Sequence, residues 1–194
     1  MKNLTHTLIA SVCAGLMATS AFAMTGEEHK TAKDRISADY KAAKQKCDAL
    51  NGNAKDVCMK EAKGAEDVAK AELESQYKPS ERNTRKLAEA RADAEYNVAK
   101  EKCDDQQGNA KDVCVKDAKA AHVKAKENAK VAAAQAKPAA TAAGQGAAVA
   151  EARKDASAEK NEANYKAARE RCDAMSGDAK SKCVDDAKRV HNQN

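Results

Sequence analysis

The sequence predicts an all-α protein of three long antiparallel helical hairpins, thinly packed on alanine, extended or loosely bundled, each stapled by one disulfide of C-x10-C spacing. Two observations carry this. The segment CDALNGNAKDVC, from Cys47 to Cys58, recurs as CDDQQGNAKDVC, from Cys103 to Cys114, and as CDAMSGDAKSKC, from Cys172 to Cys183. A tyrosine stands seven positions before each copy (Tyr40, Tyr96, Tyr165), so the unit extends well beyond the loop and one architecture is used three times. The second observation is compositional. Beyond position 23 the chain has no Phe or Trp and very few Leu, Ile and Val, which excludes a large hydrophobic core. Such poverty alone would suggest disorder, but Ala, Lys, Glu and Arg dominate, and these are the strongest helix formers.

Residues 1–23 read as a signal peptide. Lys2 stands before an apolar run from Leu8, and Ala21, Phe22 and Ala23 form the small-x-small pattern of a cleavage site, expected after Ala23. Val12 is too bulky for a lipid-processing site at Cys13. No later stretch approaches the roughly 20 apolar residues of a membrane span, so a soluble chain, periplasmic or secreted, is expected after cleavage. Loss of Lys2 and Cys13 lowers the formal charge of the 194-residue chain from +5 to +4 and the cysteine count from 7 to 6. An even number of cysteines in an exported chain reads as disulfides.

The first hairpin is expected over 25–78. Thr25 with Glu28 is a candidate capping box, and at 100° per residue Ala32, Ile36, Tyr40, Ala43, Cys47 and Leu50 share one stripe. After the loop, Ala54, Cys58, Ala62, Ala65, Ala69 and Leu73 do the same. Gly52 suits the left-handed residue just past a helix end, and Asn53 the N-cap of the next helix, with Asp56 three positions on. Gly108 with Asn109, and Gly177 with Asp178, repeat the arrangement. The cysteines of each pair then face each other about one and a half turns from the bend.

Pro79 and Ser80 break the chain before a second hairpin at 80–136. Its stripes are Ala88, Ala92, Tyr96, Ala99 and Cys103, then Ala110, Cys114, Ala118, Ala121 and Ala125. Residues 137–146, KPAATAAGQG, read as a flexible linker to a tethered third hairpin at 147–191. The interval from Tyr96 to Tyr165, which contains this stretch, is longer than that from Tyr40 to Tyr96.

No catalytic constellation rises above background, and no enzyme, metal site or cofactor is expected. His122 follows Cys114 by eight positions, His191 follows Cys183 by eight, and Glu66 occupies that place in the first repeat. Eight helical residues span about 12 Å, too far for zinc ligands, so these read as exposed helical histidines. Thiol exchange uses C-x-x-C, not ten intervening residues. Asp48, Asn51, Asn53 and Asp56 surround Gly52 without the EF-hand order and read as caps. Thirty acids interleave with the basic residues, no aromatics alternate with them, and specific nucleic-acid binding is not expected. The positive charge allows weak contact with anionic surfaces.

The units YKAAKQKCDALNGNAKDVC, YNVAKEKCDDQQGNAKDVC and YKAARERCDAMSGDAKSKC resemble a group of small exported Ala/Lys-rich helical-hairpin proteins of Gram-negative bacteria that carry the same cysteine-bounded loop, some of them labelled TolA-like cell envelope proteins. The resemblance implies no activity and no catalytic residues. The expected function is a non-enzymatic structural or protein-interaction role in the cell envelope, with an envelope protein or a second copy as partner. A stress-protective, polyanion-buffering role is the alternative, and thiol or metal handling ranks last.

Overall fold

The computed structural model describes residues 24–138 and 141–193, and the expected signal peptide and its cleavage site lie outside them. Six α-helices follow in order: α1 (Gly26–Cys47), α2 (Gly52–Tyr77), α3 (Glu81–Lys102), α4 (Gly108–Ala136), α5 (Ala142–Cys172) and α6 (Gly177–Val190). A single 3-10 turn, Cys103–Asp105, extends α3, and no strand occurs among the described residues. Each helix packs mainly on its neighbours in the chain, α1 on α2 through to α5 on α6. The result is a ribbon of antiparallel helices. Helices α1, α3 and α5 run one way and α2, α4 and α6 the other, so all three cysteine turns lie along one edge.

Local signals set the helix ends. Thr25 and Glu28 form a reciprocal capping box: Thr25 Oγ1 accepts from the Glu28 amide at 3.2 Å, and the Glu28 carboxylate accepts from the Thr25 amide at 2.7 Å. The Thr25 backbone and hydroxyl bonds hold the Glu28 carboxyl below its ordinary value. Ser80 caps α3 through the Asn83 amide, and the Asn83 side chain donates to the Lys78 carbonyl at 2.8 Å, which pins the short link between α2 and α3.

The third hairpin is packed rather than tethered. The helix α5 begins at Ala142, inside the expected 137–146 linker, and runs antiparallel along α4. Thr141 makes this start: its Oγ1 accepts from the Gly144 amide at 3.1 Å, so Gly144 and Gly146 fall in the first turns, where a cap offsets their poor propensity. Gln145 Nε2 also donates to the Gln135 carbonyl across the junction.

Burial follows alanine and half-cystine. Cys47, Cys103 and Cys172 are fully buried, with Ala62, Leu73, Ala92, Ala156 and Ala167 among the best-covered apolar side chains. The stripe expected on the second helix of each pair is buried only in part: Ala62, Leu73 and Ala118 are covered, whereas Ala54, Ala65, Ala110 and Ala121 are exposed. Helices α2 and α4 have a neighbour on each side, so each buries two narrow faces and leaves residues between them in solvent. Leu50 is 40% exposed because α1 ends at Cys47 and Leu50 lies in the turn.

Candidate functional site

Two constructions recur along the chain: the stapled turns and the junctions between hairpins. Each turn is built alike. The bonds Cys47–Cys58, Cys103–Cys114 and Cys172–Cys183 hold their Cα atoms 5.5, 5.6 and 5.7 Å apart. The amides of Leu50, Gln106 and Met175 donate to the carbonyls of Cys47, Cys103 and Cys172, each at 3.0 Å. Gly52, Gly108 and Gly177 adopt φ of +56°, +55° and +57° with open space where a Cβ would sit. Only the backbone strain of a left-handed residue therefore opposes a side chain there. Gly108→Ala is expected to cost about 1–2 kcal/mol, read as a lower urea midpoint with an unchanged slope.

The caps expected at Asn53, Asn109 and Asp178 do not form. The helices begin at the glycines themselves, so the N-cap positions fall on Asn51, Gln107 and Ser176, none of which makes a side-chain cap bond. Because one glycine both ends the turn and starts the helix, the next residue is already helical and its side chain points elsewhere. Asn109 Nδ2 donates to the Glu170 carbonyl on α5 at 3.0 Å. Both polar side-chain atoms of Asn53 are buried without a partner, and Asp178 is an exposed first-turn acid suited to the helix dipole.

Asp48, read as part of a cap set, instead bridges the turn to Lys55 at 3.0 Å. Asp104–Lys111 (2.9 Å) and Asp173–Lys180 (2.7 Å) repeat the pair. Lys180 holds the Asp173 carboxyl below its ordinary value, and Asp104 raises Lys111. The signal was present in all three copies as an Asp after the first cysteine and a Lys three positions before the second.

The junctions also repeat. Between α2 and α3, Lys60 approaches Glu101 at 3.7 Å and Lys102 approaches Glu61 at 3.3 Å. Between α4 and α5, Lys116 approaches Glu170 at 3.9 Å and Arg171 pairs with Asp117. Within the first junction, a Cβ added to Gly64 would stand 2.8 Å from the Ala94 Cβ. One face of this junction is an open apolar trough of about 710 Å³ lined by Ala65, Val68, Ala69 and Val98.

Comparison with known protein families, curated proteins and solved structures finds no match.

Two of the three positions eight places past the second cysteine are buried. His122 is buried, not exposed as its spacing suggested: its ring stacks on Tyr96 with centroids 4.7 Å apart, and its Nε2 donates to Asp93 at 2.5 Å. Its Nδ1 is buried without a partner. Glu66, at the same place in hairpin 1, is also buried. Its carboxylate accepts from Lys70 at 2.6 Å and Lys63 at 3.0 Å, and Lys70 foremost, then Lys63, hold its pKa below the ordinary value against the upward push of burial. His191 is half-buried. Among the described residues, no three His, Cys, Asp or Glu side chains group where they could hold a metal ion, and no helix is long and apolar enough to cross a membrane.

A carboxylate with a depressed folded pKa stabilises the fold fully above its unfolded pKa and loses that contribution as pH falls through the folded value. Hairpin 1 is therefore expected to weaken below about pH 4.3, the unperturbed glutamate value, with Glu66 contributing. Urea denaturation at neutral and acid pH checks this, because Glu66→Gln should be less stable at neutral pH and lose less on acidification.

Hairpin 1 is tied at its open end as well. His29 stacks on Tyr77 with centroids 4.1 Å apart and meets Glu74 at 2.9 Å, joining the start of α1 to the end of α2. No sequence pattern pointed to this stack, whose members stand at opposite ends of the hairpin's chain.

Proposed function

We propose that this chain is a non-enzymatic structural or protein-interaction module of the bacterial cell envelope, working in the periplasm or outside the cell. The observation that carries the reading is the repetition of both stapled turn and junction, which makes a stiff ribbon presenting equivalent features at regular intervals. Contacts of this kind suit a scaffold or adaptor. Three disulfides suit an oxidising compartment, in keeping with the export pattern of residues 1–23. The apolar trough between α2 and α3, with the Glu72–Arg91 and Glu61–Lys102 pairs at its rim, offers area for a protein partner.

Cross-linking of the envelope fraction in cells, followed by mass spectrometry of what is joined to the chain, tests the proposal. A reproducible protein partner linked through one hairpin supports it. Diffuse links to many proteins and anionic surfaces overturn it in favour of a polyanion-buffering role.

A further inference from the structure

The junction is a head-to-tail contact: the second helix of one hairpin packs against the first helix of the next. Such a contact leaves one unused half at each end of the array. The outer face of α1 is the half normally covered by a preceding hairpin. The outer face of α6 is the half normally covered by a following one.

Aligning the three copies on their cysteines shows which positions correspond. On the first helices, Ala94 in α3 and Ala163 in α5 correspond to Ala38 in α1. Lys102 and Arg171, which pair with Glu61 and Asp117 across the junctions, correspond to Lys46. Val98 and Ala167 correspond to Ala42, and Glu101 and Glu170 to Gln45. The α1 face thus keeps the small residues and the basic group of a working junction. Ala38, Ala42, Gln45 and Lys46 are all exposed, whereas Ala167 is buried and Ala94, Val98 and Ala163 are half-buried.

The second helices diverge instead. Gly64 and Ala120, the small residues of the two junctions, correspond to Arg189 in α6, which is 76% exposed. Val57 and Val113 correspond to Lys182, and Lys60 and Lys116 to Asp185. The acids of α6 are engaged within the helix, Asp186 with Arg189 at 3.0 Å and Asp185 with Lys188 at 3.4 Å. The helix is also short, 14 residues against 26 in α2 and 29 in α4. The outer face of α6 is thus polar where the matching faces of α2 and α4 carry small and apolar residues, the character of a capping repeat.

We propose that the outer face of α1 is an acceptor for a helix of the α2/α4 kind carried by another protein, and that α6 is a cap whose polar outer face does not fill that acceptor. The occupant is specified by continuity with the two internal junctions and by charge. It is an exposed amphipathic helix that sets an acidic residue against Lys46 and, three positions later, a Gly or Ala against Ala38. This deepens the interaction-module reading and rests on it for its biological meaning.

The test uses the full chain and needs no identified partner. Lys182→Val, Asp185→Lys and Arg189→Ala together give α6 the pattern of α4. Sedimentation of this variant is expected to show weight-average mass rising with concentration, about twofold or more as head-to-tail dimers and longer arrays form. Wild type should stay at one mass, and adding Lys46→Glu to the triple variant should abolish the rise. Circular dichroism and disulfide mapping confirm that each variant is folded, and Arg189→Ala alone provides a milder version.

A folded triple variant that stays monomeric overturns the acceptor. So does a rise that survives Lys46→Glu. Wild-type association abolished by Lys46→Glu overturns the cap, and a closed wild-type dimer unaffected by α6 substitutions overturns the head-to-tail geometry. None of these outcomes bears on whether cross-linking in cells finds a partner elsewhere on the ribbon, so the two readings fail separately.

Discussion

Reduction of the three disulfides is expected to lower the thermal midpoint of the chain more than any single substitution. Each bridge closes a loop with a sequence separation of 11, and a loop of that size contributes on the order of 3 kcal/mol by constraining the unfolded chain. The helices meet through alanine and cysteine rather than large side chains, so little else holds a hairpin closed. Thermal melts followed by circular dichroism, with and without reductant, check this. Low-temperature helicity should largely persist, since propensity is spread along α2, α4 and α5, while the transition broadens and moves down. The paired change Cys47→Ser with Cys58→Ser should act locally: amides around the first turn exchange faster, and those of the third hairpin keep their protection. An unchanged midpoint on full reduction would show that packing alone closes the hairpins.

Gly64→Leu is expected to have the second largest effect. Even a methyl group at this position would meet the Ala94 Cβ at 2.8 Å, and forcing bulk into a packed contact costs typically about 1–3 kcal/mol. The gain of about 1 kcal/mol from removing a mid-helix glycine offsets only part of that. The loss should fall on the junction between hairpins 1 and 2 and spare the stapled turns. Gly64→Ala combined with Ala94→Gly separates sterics from propensity: the double variant should recover stability that Gly64→Ala loses at the contact, the coupling expected of touching residues. Urea denaturation of the four members of the cycle measures it, and strict additivity would mean the helices relax apart freely.

What the sequence made legible was local. The twelve-residue loops, the tyrosine offset, the Thr25–Glu28 box and the Pro79–Ser80 break all act within a few residues of themselves, and the helical hairpins follow from them. The Asn53 and Asn109 caps failed for a reason that periodicity does not contain: a single left-handed glycine both ends the turn and opens the next helix, which shifts the cap position back by two places. His122 misled because a histidine on an alanine-lysine helix looks solvated until Tyr96 and Asp93 on another helix are placed beside it. The Lys60–Glu101 and Lys116–Glu170 pairs were hidden for the same reason. Their members are far apart along the chain, and only the lateral order of the helices brings them together. The start of α5 inside a Gly- and Ala-rich stretch turned on one hydroxyl, that of Thr141.

Among the described residues the six cysteines pair in the order in which they occur, Cys47 with Cys58, Cys103 with Cys114, Cys172 with Cys183. Six cysteines admit 15 connectivities, and this one is special in that no bridge encloses or crosses another. A chain delivered N-terminus first can complete each bond before the next cysteine arrives, and a mate so near in sequence is met far more often than any competitor. Oxidation of such a chain is a sequence of independent local closures, which frees it from the reshuffling that interleaved disulfides require.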